Sequence, residues 1–360
     1  MTINTAPYTD ARIAARLADK IRRAVDAPVR LMEVCGTHTA AILRHGIVSL
    51  LPTEVRLISG PGCPVCVTSQ GDLDSFIGLC ADPKILSAVF GDMVRVPGSR
   101  TSLEAARANG ADVRVVYSPL EAVHLAQRNP SKEVVFFGVG FETTAPAVAG
   151  AVLAARSRNL KNFSVYCSLK RISPALDVLF SESRNAVSGL LCPGHVSVVT
   201  GLDVYKPIAL KYGLPCVVAG FMPVDILQGI LMLLVQLREG RPRVENAYGR
   251  AVARKGNVLA RQAMESVFDT CDARWRGLGL VPGSGLCFKK EISLFDALVR
   301  FGLCPKDGPE PRGCCCAGVL KGLVMPPQCP LYKKRCTPQH PVGPCMVSGE
   351  GACAAHYKYS

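Results

Sequence analysis

"EVVFFGVGFETTAPAVAGAV", residues 133–152, sets the reading of the whole chain. Its first eight residues are an apolar run rich in β-branched and aromatic side chains, the pattern of a buried strand. "GFETT" follows as a polar turn, and the alanine-rich remainder reads as a helix. A strand, a polar turn and a helix make the repeating unit of an α/β fold with parallel strands.

Working outward, the unit recurs. "VRLMEV" (29–34), "VRLIS" (55–59), "ILSAVFG" (85–91) and "VRVVYS" (113–118) read as strands, with helices at 38–46, 70–80, 101–109 and 119–129. "FSVYCS" (163–168), "GLLC" (189–192) and "LPCVVAG" (214–220) continue the rhythm, which predicts parallel sheets with helical crossovers. The motifs also pair in order: "VCGTHTAAIL" (34–43) with "GFETTAPAVAGAV" (140–152), "SGPGCPVCVT" (59–68) with "LCPGHVSVVTG" (191–201), and "AVFGDMVRVPG" (88–98) with "CVVAGFMPVDI" (216–226). That order predicts a duplication, with one α/β domain over 29–130 and a similar one over 131–244. Ligands bind beyond the carboxyl ends of parallel strands, so two such domains face a common cleft. Residues 1–28 read as an amphipathic helix expected to pack with the C-terminal domain. Beyond 245, apart from a helical stretch at 253–268, periodicity fades into an irregular, Cys-rich domain over 245–360, which needs cross-links or a cofactor to stay folded.

Composition narrows the function. The chain has 360 residues, 49% of them apolar and 19% charged, which is globular. Its most apolar helix, "DILQGILMLLVQL" (225–237), is too short to cross a bilayer and reads as buried. No membrane role is expected, and the lack of a secretory segment predicts a cytoplasmic protein. The net charge is +14, yet the longest basic run is "KKR" (333–335), without aromatic interleaving. Nucleic acid is therefore not an expected partner. The 17 cysteines are unusual for a reducing compartment. Seven of them fall between Cys314 and Cys353, where bound metal is the expected reason.

Cys63-Pro-Val-Cys66 sits in a glycine-flanked turn ahead of a helix. Such a pair can exchange between dithiol and disulfide, bind a soft metal with further ligands, or simply fill a tight turn. Cys35 and His38 in "CGTHT" offer a thiolate and an imidazole suited to iron, zinc or thiol chemistry. Glu142 and Thr143 in "GFETT", and His195 in "CPGHVS", follow strands too, although a helix N-cap and a turn histidine are the plainer readings. In the tail, Cys316, Cys329, Cys336, Cys345 and Cys353 can supply four thiolates to a cubane iron–sulfur cluster or a zinc ion. Their spacing matches neither the ferredoxin nor the zinc-ribbon pattern.

Taken in order, "EVCGTHT" (33–39), "GPGCPVC" (60–66), "FGDMVRVPGS" (90–99), "GFETTAP" (140–146), "CPGHVS" (192–197), "VVAG" (217–220) and "PVGPCMVSGEGAC" (341–353) resemble the HypD family of hydrogenase maturation factors. The resemblance implies a scaffold on which the Fe(CN)2CO group of [NiFe]-hydrogenases is assembled. The implied partners are a HypC-type chaperone and HypE, with HypF, as cyanide donor. It implies that Cys35 ligates Fe(II) carrying cyanide and CO, beside a redox-active Cys63–Cys66 pair. His38, Thr39, Glu142, Thr143 and His195 match cleft motifs of the family. The tail is implied to carry a [4Fe–4S] cluster; of the five spaced cysteines, Cys345 is expected over Cys353 for the fourth place because "GPC" (343–345) gives it a tight turn. The chain departs from the family pattern at Ala317, at 168–176 and at Met222. A cluster-containing thiol–disulfide oxidoreductase and a zinc-binding adaptor are the rival readings.

Overall fold

The computed structural model describes residues 6–181, 187–306 and 308–360. Its strands are β1 (Val29–Glu33), β2 (Val55–Ser59), β3 (Ile85–Val89), β4 (Asp112–Val115), β5 (Glu133–Gly140), β6 (Phe163–Leu169), β7 (Gly189–Pro193), β8 (Cys216–Ala219), β9 (Val244–Asn246), β10 (Phe268–Trp275) and β11 (Gly279–Phe288). Two sheets are wholly parallel, with orders β2-β1-β7-β8-β9 and β4-β3-β5-β6. The third is the antiparallel hairpin β10–β11.

β5 explains why the opening stretch reads so clearly. Every residue after Glu133 is buried, as expected for a central parallel strand with helices on both faces. It pairs with β3 on one side and β6 on the other. The helix Ala145–Ser157 begins with Pro146 in its first turn, and its small buried residues Ala145, Ala149 and Ala155 let it lie close on the sheet.

Both sheets follow one strand order. Numbered within each sheet, the strands run 2-1-3-4, with β9 added as a fifth in the first. This is the doubly wound, flavodoxin-like order. The expectation of two similar α/β units therefore holds, but not the expected division at 130/131. The chain builds β1 and β2, leaves to complete the whole second sheet, and returns at β7. A cut at 130/131 separates β4 from β5, which belong to one sheet. The motif pairing changes as well: β2 and β7, whose loops looked like duplicates, both flank β1. The shared order instead matches β1 with β3, β2 with β4, β7 with β5 and β8 with β6.

The helix Ala11–Ala24 is capped by Asp10, whose carboxylate accepts from the amides of Arg12 and Ile13. Its apolar face lies mainly on the first sheet's helices, while from the 245–360 region Arg250 stacks over Tyr8 just ahead of the helix. Leu17 and Ile21 bury against Ile226, Ile230 and Leu233 of the helix Pro223–Glu239, in a cluster shared with Leu31 of β1 and Val217 of β8. An apolar face on that long helix needs covering, and the N-terminal helix supplies the cover. No helix among the described residues is long and apolar enough to cross a membrane.

After the helix Val258–Val267 the chain forms the β10–β11 hairpin and then short turns. These include the helix Cys316–Leu320 and the closing helix Ala352–Tyr359.

Candidate functional site

In doubly wound sheets the crevice lies where neighbouring strands send their connections in opposite directions. That point falls between β1 and β7 in the first sheet and between β3 and β5 in the second. Beyond these strand ends stand Cys35, His195, Asp92 and Thr143. A cavity of about 430 Å³ gathers Cys35, Thr37, Phe141, Thr143, His195 and Glu350. A smaller one of about 230 Å³ adjoins it through Pro64, Thr144 and Glu350 and reaches Asp92 and Ser348.

Two glycines bring the pieces together. A side chain at Gly62 would overlap the backbone of Cys35, and one at Gly36 would overlap Glu350. The Gly36 amide donates to the Gly62 carbonyl at 3.1 Å. "GPGC" and "CGT" are thus the two halves of one close backbone contact. The tail loop spans both sheets: Thr37 Oγ1 donates to Glu350 Oε1 at 2.6 Å, and Ser348 Oγ donates to Asp92 Oδ2 at 2.9 Å.

Cys35 is buried at the N-cap of the helix Gly36–Arg44. Burial pushes its thiol up to about 12, and the Glu350 carboxylate adds to the shift. The resting thiol is protonated, so a metal binding there would displace a proton. Cys63 and Cys66 are joined as a disulfide, with Cα atoms 5.2 Å apart. Cys63 caps the helix Pro64–Val67, its sulfur accepting from the Cys66 amide at 3.2 Å. Through Gly62, this turn lies directly against Cys35.

The remaining residues singled out from sequence divide. Thr143 and His195 line the cavity. Burial lowers the basicity of His195, opposed by Glu350, and its ring stacks on Phe221 with centroids 3.9 Å apart. The His38 ring also approaches Phe221, with centroids 4.7 Å apart; it is fully buried, with Nε2 2.9 Å from the Gly220 carbonyl. Burial pulls it down to about 4. Thr39 turns away to hydrogen-bond Glu33. Glu142 is buried below the turn, where Oε1 accepts from the Ile172 amide and Oε2 has no hydrogen-bond partner among the described residues. Burial lifts its carboxyl to about 7. Thr37, Phe221 and Glu350 escaped the sequence reading. Glu350 alone left a trace, as the one charged residue of the "SGEG" turn.

The cysteine-rich domain converges on one enclosed space lined by Cys314, Cys315, Cys316, Cys329, Cys336, Cys345 and Cys353, with Leu331, Tyr332 and Met346. Cys316 and Cys345 have their sulfurs 2.6 Å apart. Among the described residues no carboxylate or imidazole lines this space. Nor are any three His, Cys, Asp or Glu side chains among them disposed around a single metal ion. The all-thiol donor set suits an iron–sulfur cluster, which is held by cysteine thiolates.

Two doubly wound sheets turning their strand ends onto a thiol-bearing cleft, with a cysteine-rich domain closing it, define a two-sheet α/β thiol protein. The comparisons with known proteins make this specific. The HypD profile, described as "Hydrogenase formation hypA family", matches residues 12–360. The hydrogenase expression/formation protein HupD of Azotobacter chroococcum is 49% identical, over 99% of this chain and 94% of its own length. The hydrogenase maturation factor HypD of Escherichia coli K12 is 45% identical, over 95% and 92%. HypD2 of Bradyrhizobium diazoefficiens is 44% identical, over 98% and 95%. The chain belongs to the HypD family of hydrogenase maturation factors.

Proposed function

We propose that this maturation factor is the scaffold on which the Fe(CN)2CO group of [NiFe]-hydrogenases is assembled. The observation that carries the reading is Cys35, set in the wall of the two-sheet cavity and held against the Cys63–Cys66 turn by Gly62. Cys35 gives up its proton to ligate Fe(II), a soft thiolate donor suited to iron that carries cyanide and CO. A HypC-type chaperone shares the iron, and HypE with HypF delivers cyanide. Thr37, Thr143 and His195 supply polar contacts to the cargo, while Phe141 and Val196 keep water out. Glu350, in the wall of the same cavity, is the carboxylate that takes up the Cys35 proton.

The tail cysteines hold a [4Fe–4S] cluster, drawn from Cys316, Cys329, Cys336, Cys345 and Cys353, which all line the enclosed space. When bound, the cluster supplies single electrons. The Cys63–Cys66 disulfide takes up two electrons and two protons to become a dithiol.

The test is infrared spectroscopy of the protein copurified with its partners. Cyanide and CO bands are expected in the wild type and absent in Cys35→Ala, with the tail cluster retained. Wild-type bands in that variant would sink the proposal. Thiol–disulfide exchange without such bands in the wild type would favour a reductase.

A further inference from the structure

The hairpin β10–β11, unassigned in the function above, lies between the two sets of thiols. Its strand end carries Trp275 and Arg276. Thr68, just past the Cys63–Cys66 turn, forms an antiparallel bridge with Trp275. Arg276 is buried, with only 4% of its surface exposed. Its backbone amide donates to the Val67 carbonyl at 2.9 Å and its Nε donates to the Thr68 carbonyl at 3.2 Å. One residue on, a side chain at Gly277 would come within 2.9 Å of the Ala317 backbone. The hairpin turn therefore abuts the helix that begins at Cys316.

We infer that Arg276 is a positioning residue that couples the Cys63–Cys66 turn to the cysteine-rich domain. It grips the end of the turn through two carbonyls, while the next residue, Gly277, packs on the helix that begins at Cys316. The inference rests on the proposed function, in which the two sets of thiols exchange electrons. A buried guanidinium is a costly thing to keep without a purpose for its charge. Arginine also suits the place, because its planar fork can bind a carbonyl on one edge and leave other N–H groups free.

The consequence is a redox one. A fixed cation beside the turn favours the dithiol over the neutral disulfide, because thiolate character is stabilised by nearby positive charge. The test uses the full-length protein as purified, equilibrated without oxygen in mixtures of reduced and oxidised glutathione. The Cys63–Cys66 disulfide accepts two electrons and two protons from two glutathione thiols, which leave as one glutathione disulfide. Alkylation and mass spectrometry read the ratio of the two states. R276Q is expected to shift the equilibrium about tenfold toward the disulfide, ~30 mV for a two-electron couple. R276K keeps the charge and is expected to stay near wild type. If R276Q does not fold, R276K decides alone: a shift as large as tenfold despite the retained charge overturns the electrostatic role. An unmoved R276Q, in a protein whose wild-type pair exchanges normally, overturns the inference but leaves the proposed function standing. A wild-type pair that glutathione cannot open overturns the inference, while the assembly role still rests on the infrared test.

Discussion

Glu33 lies two residues before Cys35, and its carboxyl accepts from the hydroxyls of Thr39 and Ser59 at 2.8 Å each and from the Gly60 amide at 3.3 Å. Burial nevertheless raises it from an ordinary 4.5 to about 8. Below the ordinary value the folded and unfolded groups are both neutral, and Glu33 imposes no penalty. As pH rises the unfolded group ionises first, and this share of stability is lost through about 8. Glu142 acts in the same sense with a folded value of about 7. His38 acts oppositely: its contribution is present above 6.5 and lost as pH falls through about 4. Urea unfolding should therefore show this share of stability declining as pH rises from about 4.5 to about 8, and levelling off above that. Glu33→Gln should flatten that decline, by about 1.4 kcal/mol for each tenfold difference in acidity between the folded and unfolded carboxyl. An unchanged slope in the variant would assign it to other groups. The same short segment shows where sequence reading stops at this scale. "CGTHT" announced a site, but successive helical side chains point about 100° apart. Thr37 faces the cavity, His38 faces Gly220, and Thr39 faces Glu33. Residue types were legible, and their directions required the helix axis.

The loops after β1 and β2 depend on glycine for a reason that can be tested. Gly62→Ala would drive a methyl group into the Cys35 backbone, so the two thiol loops must part. Melting should report a loss of about 1–3 kcal/mol, typical of overpacking, and iron retention at Cys35 should fall with it. An alanine variant that binds iron normally would show that the close approach is dispensable. The N-terminal helix gives a second case. Ile21 is completely buried against the helix Pro223–Glu239, so Ile21→Ala should cost about 2–5 kcal/mol in denaturant unfolding. A negligible loss would mean that the N-terminal helix is not part of the cooperative core. Apart from the short edge strand β9, the strands of the two parallel sheets were visible in sequence because parallel strands covered on both faces are continuous apolar runs. Their grouping was not visible, since such a run does not state its neighbour. That is why β5 and β6 looked like the start of a second domain. The β10–β11 hairpin was missed for another reason. β11 reads "GLVPGSGLCF", with Pro282 inside it and positive φ at Gly279 and Gly283, which is the local signature of a loop.

Across the whole molecule, the tail completes the cleft. The closing helix Ala352–Tyr359 packs against the helix Gly36–Arg44, Glu350 meets Thr37 of the first sheet, and Ser348 meets Asp92 of the second. The chain's last segment therefore clamps the strand ends of both sheets. Its own fold is irregular and gathers around the cysteine-lined space, so the proposed cluster and the cleft should respond together. Cys345 is the most informative position: it is buried, its sulfur touches that of Cys316, and it precedes Glu350 by five residues. Cys315 is only half-buried and adjoins Cys316, so both can hardly serve one cluster. Cys345→Ser should lose most of the tail iron and its visible absorbance, and amide exchange over Gly36–Arg44 should quicken as the clamp loosens. Cys315→Ser should do neither. Full iron in Cys345→Ser, with loss in Cys353→Ser, would transfer the ligand role to Cys353. Loss of iron with exchange unchanged would show that the protein contacts of residues 348–359 hold the cleft by themselves.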